Sequence, residues 1–282
     1  MGSASEAKAV EAASLQHHDT PPAYTAHDAA ASSFGATPAI PGPALNSVSP
    51  YEPFPSTMYA YYTFKITRTF HLGSDDSDHK LFAVSNYVGF DGKGPGKPSV
   101  VLHNGPSPDD LVLAIVGEED GWMKNTPRRG SNFTISLPPL NPTATRQLAI
   151  HGDKEVMYGG TFDPQVGYSF RFTVETTRGG GLVREDFEWR KTTQVEGDEY
   201  KYHYELVRLG TTAEKGGESG AVSFRQGEAL ALVAFKRFYS LSKPFKVEFV
   251  GSSMTDLGPR WAVTAVVTGV WVWALQIAGR AD

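Results

Sequence analysis

The 282-residue chain contains no cysteine. That excludes a disulfide framework, a thiolate metal site and a cysteine nucleophile, and it fits an intracellular chain, cytoplasmic or peripheral to a membrane. The body of the chain also lacks an excess of either charge. Five of the 31 acids (Glu6, Glu11, Asp19, Asp28, Glu52) and one of the 26 bases, Lys8, fall in the first 55 residues, leaving 26 acids and 25 bases beyond. Such neutrality speaks against nucleic acid as a partner, which asks for a basic footprint. The N-terminus has no apolar run behind Lys8 and no arginines, so it reads as neither a secretory nor a mitochondrial signal. Glu6 stands where a myristoylation signal carries Ser or Thr.

Catalytic and cofactor motifs are equally scarce. Gly92 to Pro98 is glycine-rich, but Asp91 occupies the position of the first glycine of a phosphate-binding loop and Pro98 that of the magnesium-binding hydroxyl. Gly251-Ser252-Ser253 lacks the second glycine of a nucleophile elbow. The acidic turn Asp75-Asp76-Ser77-Asp78, flanked by His71 and His79, lacks the glycine and distal Glu of an EF-hand. Glu185, Asp186 and Glu188 lie close in sequence, yet alternation sends Asp186 and Glu188 to the face opposite Phe187 and Trp189, beside Arg184 and Arg190. No catalytic residue, cofactor or metal ligand is assigned, and the expectation is a protein that is not an enzyme.

What is present is apolar and β-prone. Hydrophobic residues make up 40% and aromatics 12%, enough for a sizeable core. Residues 1–56 stand apart, rich in Ala, Ser and Pro with few large aliphatics, and read as a disordered tail, helical at most over 5–15. From residue 57 to 282 β-branched and aromatic runs are broken by Gly, Pro, Asn and Asp. Tyr168 to Val174 and Val183 to Arg190 alternate strictly between apolar and polar. Further strands are expected at 58–70, 80–89, 98–104, 110–117, 131–137, 145–150, 154–159, 200–209, 220–225, 229–239 and 245–250.

Trp261 to Ala278 is an uncharged and strongly apolar run, eighteen residues behind Pro259 and before Gly279 and Arg280, the punctuation of a helix. It has two possible homes. A helix of that length rises about 27 Å, close to the hydrocarbon thickness of a bilayer, so a tail-anchored protein spanning with 261–278 is one alternative. The other is the inside of a closed sheet. About a dozen strands close into a barrel whose lumen is too wide for its own side chains but suits a helix. The second is favoured: a mainly β protein, a roughly twelve-stranded closed barrel around a central hydrophobic C-terminal helix at 260–278, with Trp261, Trp271 and Trp273 buried by sheet.

The order Phe187-Glu188-Trp189-Arg190, Tyr204-Glu205-Leu206-Val207-Arg208-Leu209, Val233-Ala234-Phe235 and then Leu257-Gly258-Pro259-Arg260-Trp261 entering the apolar helix resembles the tubby C-terminal-like superfamily. That superfamily includes tubby, the LURP-one-related proteins and the phospholipid scramblases. The likeness covers about residues 57 to 279 and is nearest to its fungal members. It implies a helix-filled barrel and a non-enzymatic domain acting at membranes or as an adaptor. No position aligns with the phosphoinositide-binding lysine and arginine of tubby, and no acidic segment matches the calcium site of scramblases.

The surface singled out is Lys236, Arg237, Lys243 and Lys246, four bases interleaved with aromatics and free of acids over 236–246. Such a hairpin suits an anionic membrane surface or a protein partner. The competing reading makes Phe235, Phe238 and Phe245 core residues and the bases the solubilising charges of an edge strand. Lys124, Arg128 and Arg129 form a second, weaker candidate. The residues do not specify an oligomeric state.

Overall fold

The computed structural model describes residues 53–62, 69–87, 99–118, 132–140, 152–159, 167–178, 181–192, 198–209, 227–236 and 242–277, all within the compact unit Val48–Asp282. Twelve strands run in chain order: β1 Thr57–Tyr62, β2 Thr69–Gly73, β3 Lys80–Asn86, β4 Val100–His103, β5 Val112–Glu118, β6 Asn132–Leu137, β7 Asp153–Gly159, β8 Ser169–Arg178, β9 Gly181–Thr192, β10 Tyr202–Leu209, β11 Ala229–Phe235 and β12 Ser242–Phe249. Each pairs antiparallel with its sequence neighbours, and β1 closes the barrel on β12. Two helices follow, α1 Ser253–Leu257 and α2 Pro259–Ile277.

The expected single strand at 58–70 is instead two. Tyr59 pairs with Gly73 and Tyr62 with Phe70, so the chain reverses between β1 and β2. The β-branched and aromatic texture runs through the reversal without a Gly, Pro, Asn or Asp, which is why the sequence pattern hides it. Residues 1–52 of the tail and the strands expected at 145–150 and 220–225 lie outside the described residues. The last tail positions instead belong to the barrel: Phe54 is buried against Phe82 and Phe249, because a large aromatic there has a core to enter.

Helix α2 occupies the barrel. Every residue from Arg260 to Gln276 is buried, and 94% of its apolar 18-residue window lies inside the protein, so spanning a bilayer would require emptying the barrel. A segment in a closed lumen has no free strand edge to pair with and must satisfy its own amides; helix achieves this despite the β-branched content. Thr264 and Thr268 donate their hydroxyls back to the carbonyls of Arg260 and Thr264 at 2.9 and 2.6 Å, and Thr268 Oγ1 accepts from Trp189 Nε1 at 2.9 Å. Trp261 packs on Phe187 and Phe249, Trp271 edge-on to Phe133, and Trp273 edge-on to Phe70 and against Phe245. Gly269 lets helix and wall approach, since a Cβ there would stand 2.8 Å from Val233 Cγ1. Gly258, at φ 86, breaks α1 from α2, and a Cβ there would meet Thr177 Oγ1 at 2.6 Å.

Candidate functional site

Two charged clusters sit on this frame. The first lies where α2 enters the barrel. Strands β7 and β8 pair over three positions only, Met157 with Phe172 through Gly159 with Phe170. Beyond that point side chains join them. Arg260 donates to Glu175 at 3.0 Å, to Asp153 at 3.2 Å and to the Pro138 carbonyl. Arg184 bridges Glu175 to Glu155, the latter through two bonds of 2.9 and 2.7 Å. Glu185, inward-facing and buried, accepts from Thr176 at 2.9 Å and from Arg208. Burial alone would raise the Glu175 carboxyl, but its own amide and the two guanidiniums outweigh it and hold the group below its ordinary value. Bonding to Glu155 raises Arg184. A net of matched, multiply bonded charges with its arginine rooted in the helix is a fastening, and sequence spacing gave no sign of it.

The second cluster contains the singled-out bases. Lys236, Lys243 and Lys246 come together beside β1, while Arg237, Lys124, Arg128, Arg129 and Phe238 lie outside the described residues. Phe235 and Phe245 do face the core. The edge-strand account fails, because β12 is paired on both sides, by β11 and by β1. Acids absent from the run are supplied from elsewhere: Glu199 lies 2.6 Å from Lys236, Glu248 lies 2.7 Å from Lys246, and Asp75 meets Lys243.

A bulge aims the central lysine. Tyr59 is opposite Lys246 and Tyr61 opposite Ser242, so β12 spends four residue steps where β1 spends two. Within the bulge Lys243 adopts φ 49, the one positive φ of a non-glycine among the described residues, next to Pro244. Its ammonium stands 4.7 Å from the Tyr59 ring centre, and that of Lys236 stands 5.4 Å from the ring of Tyr200. The hydrogen bond that Lys243 donates to Asp75 raises its pKa. Burial opposes the charge on Lys246, but Glu248 prevails and raises it as well. Two buried tyrosines adjoin these lysines: Tyr61 donates to the carbonyls of Ser74 and Asp75 at 2.7 and 2.8 Å, and burial pushes the Tyr61 and Tyr200 phenols up. On β1, Tyr59 and Tyr61 turn away from the lumen by alternation with the core residues Met58 and Ala60.

Comparison of the chain with protein-family models, with curated proteins and with solved structures returns no match. Chemistry must therefore be argued from the patch itself. It presents ammonium groups and the half-buried Tyr59 ring on the barrel wall, and two of its counter-ions are largely in water: the side chains of Asp75 and Glu199 are 79% and 60% exposed. In the turn that bears Asp75, Asp76 is engaged locally, with His79 at 3.2 Å and with the amide of Asp78.

Proposed function

We propose that the protein is a non-catalytic binding module of tubby C-terminal-like type that meets anionic phospholipid through Lys236, Lys243 and Lys246. The observation that carries this reading is the conformation of Lys243. A left-handed non-glycine residue costs about 1–2 kcal/mol and persists where the surroundings impose it, commonly at binding surfaces. Here a bulge imposes it and sets a lysine over an aromatic ring at the outer wall. The lumen is filled by α2, which leaves the outside of the barrel for a partner. Exposed ion pairs such as Lys243–Asp75 contribute little to stability, so a phosphate can replace the carboxylate at small cost. Each lysine near a negatively charged leaflet adds about 1 kcal/mol, and tyrosines favour the interfacial region.

Sedimentation with vesicles tests the proposal. The protein is expected to pellet with vesicles containing phosphatidylserine or a phosphoinositide, to stay in solution with phosphatidylcholine alone, and to be released by salt as screening sets in. Reversing two lysines in K243E/K246E should weaken the interaction at least about tenfold. Equal failure to pellet with all vesicles, or binding untouched by the double reversal, overturns it.

A further inference from the structure

On the opposite flank of β2, outward positions of β2 to β4 break the inside-outside rule. Phe70, Leu72, Phe82, Val84, Val100 and Leu102 line the core, so alternation turns His71, Ala83, Ser85 and His103 outward, where a barrel wall meets water. They are nevertheless 8%, 0%, 4% and 6% exposed. Residues 104–110, between β4 and β5, lie across them. The Ala83 amide donates to the Gly105 carbonyl at 2.6 Å. The strap holds its own shape: the Asp110 carboxylate accepts from the Ser107 amide at 2.7 Å, and a Cβ on Gly105 would strike that same carboxylate at 2.3 Å.

Both histidines grip the strap by its carbonyls. His103 Nδ1 lies 3.1 Å from the Asp110 carbonyl, which can only accept, so Nδ1 carries the proton and Nε2 accepts the Ser85 hydroxyl at 3.2 Å. Protonating His103 merely turns Ser85 from donor to acceptor. His71 differs. Its ring is bonded to the Pro106 carbonyl, while Nδ1 is buried without a partner. The donor is then Nε2, and a second proton would place an N–H on Nδ1 with nothing to receive it.

We propose that residues 104–110 form a proton-operated strap, closed while His71 is neutral and released when His71 takes up a proton, uncovering the Ser85–His103 pair and the outer face of β2 to β4. This does not rest on the lipid reading, although Tyr61 and Asp75 border both places. The surroundings of His71 agree from each side. Burial and then the Lys80 ammonium on β3 lower its pKa, and the Pro106 carbonyl opposes them without prevailing. From β1 it faces Tyr61, whose hydroxyl is already committed to Ser74 and Asp75. The nearby acids are engaged elsewhere, Asp75 with Lys243, Asp76 with His79, and Asp110 with Ser107. The sign follows. With the closed-state pKa below the free value of about 6.5, the open state binds the extra proton, so closure is fully favoured above that value and weakens as pH falls beneath it.

Amide hydrogen exchange on the full chain from pH 7.5 to 5.0, corrected for intrinsic rates, reads the strap at Ala83. Its protection should be constant above about pH 6.5 and then fall by up to about tenfold per pH unit, one proton's worth, while the Val233 amide on β11 keeps its protection. H71L should abolish the slope. A flat Ala83 profile overturns the proposal, as does a fall shared with Val233 or a slope that survives H71L. Should H71L fail to fold, nitrogen-15 titration of the wild-type rings decides: His71 must keep Nδ1 bare below pH 6.5, and titration at or above that value refutes the strap.

Discussion

The two charged clusters use the same kinds of ion pair to opposite ends. At the mouth of the barrel Arg260 and Glu175 are almost wholly removed from water and each is bonded more than once. On the outer wall each lysine has a carboxylate partner, and the partners of Lys243 and Lys236 stand in solvent. Removing one member of a buried pair strands a charge, at about 3–5 kcal/mol, whereas an exposed pair contributes about 0–1 kcal/mol. The mouth is therefore fixed by its charges and the wall is free to exchange them. Position relative to water, and not residue type, separates the fastening from the proposed binding surface.

The sharpest way to break that contrast is to remove what the mouth fastens. A chain ending at Gly258 loses all of α2 and the ring partners of Phe70, Phe133, Phe187 and Phe245. A lumen of that size cannot collapse onto itself, so the truncated chain is expected to show no cooperative unfolding and no near-ultraviolet circular dichroism. A folded, soluble truncation would mean the helix is not the core.

Next in size is R260M, which keeps the volume, leaves the Pro138 carbonyl without its donor and leaves Glu175 with Arg184 as its remaining guanidinium partner. Urea midpoints should report a loss of about 2–4 kcal/mol, partly recovered in R260M/E175Q, where the half-paired buried charge is also gone. The acid limb of stability carries the same information. Glu175 and Asp186 are held below their ordinary values, Glu175 by its own amide and the arginines against burial, Asp186 by Thr173 and Arg171 against burial. Their contribution is complete above the free carboxyl values near 4 and is lost as pH falls through the lower folded values. R260M should therefore have a shallower acid limb than the parent. A smaller effect belongs to the helix-wall contact: G269A forces a Cβ toward Val233 and should cost about 1–3 kcal/mol, relieved by V233A.

These effects divide by how they could be read in the chain. The helix core was legible because Trp261 to Ala278 lacks charge entirely, and the barrel because alternation at Tyr168 to Val174 and Val183 to Arg190 fixes which side chains face inward. The split of 58–70 was not, since nothing in residues 63–68 resembles turn chemistry. The bases of 236–246 were visible as a run, yet their neutralisation was not. Lys243 finds Asp75 across 168 positions of chain, and no local pattern reports a pairing made by barrel closure. The Arg260 net fails to show for the same reason: its partners sit 85 and 107 residues away.

The finest test of the contrast lies at Lys243 itself. K243A removes the ion pair and the ring contact but retains a Cβ in the left-handed region, whereas K243G also releases that strain. On stability the first should lose less than about 1 kcal/mol and the second should match or exceed the parent, the difference between the two variants reading the strain at about 1 kcal/mol. On anionic vesicles both should bind less well than the parent and equally so, because neither carries the ammonium. A bulge that served folding alone would give the reverse pattern, with K243G no more stable than K243A and vesicle binding unchanged. Strain that can be released at no cost to the fold, but only with loss of the lysine at the wall, is what a surface kept for a partner requires.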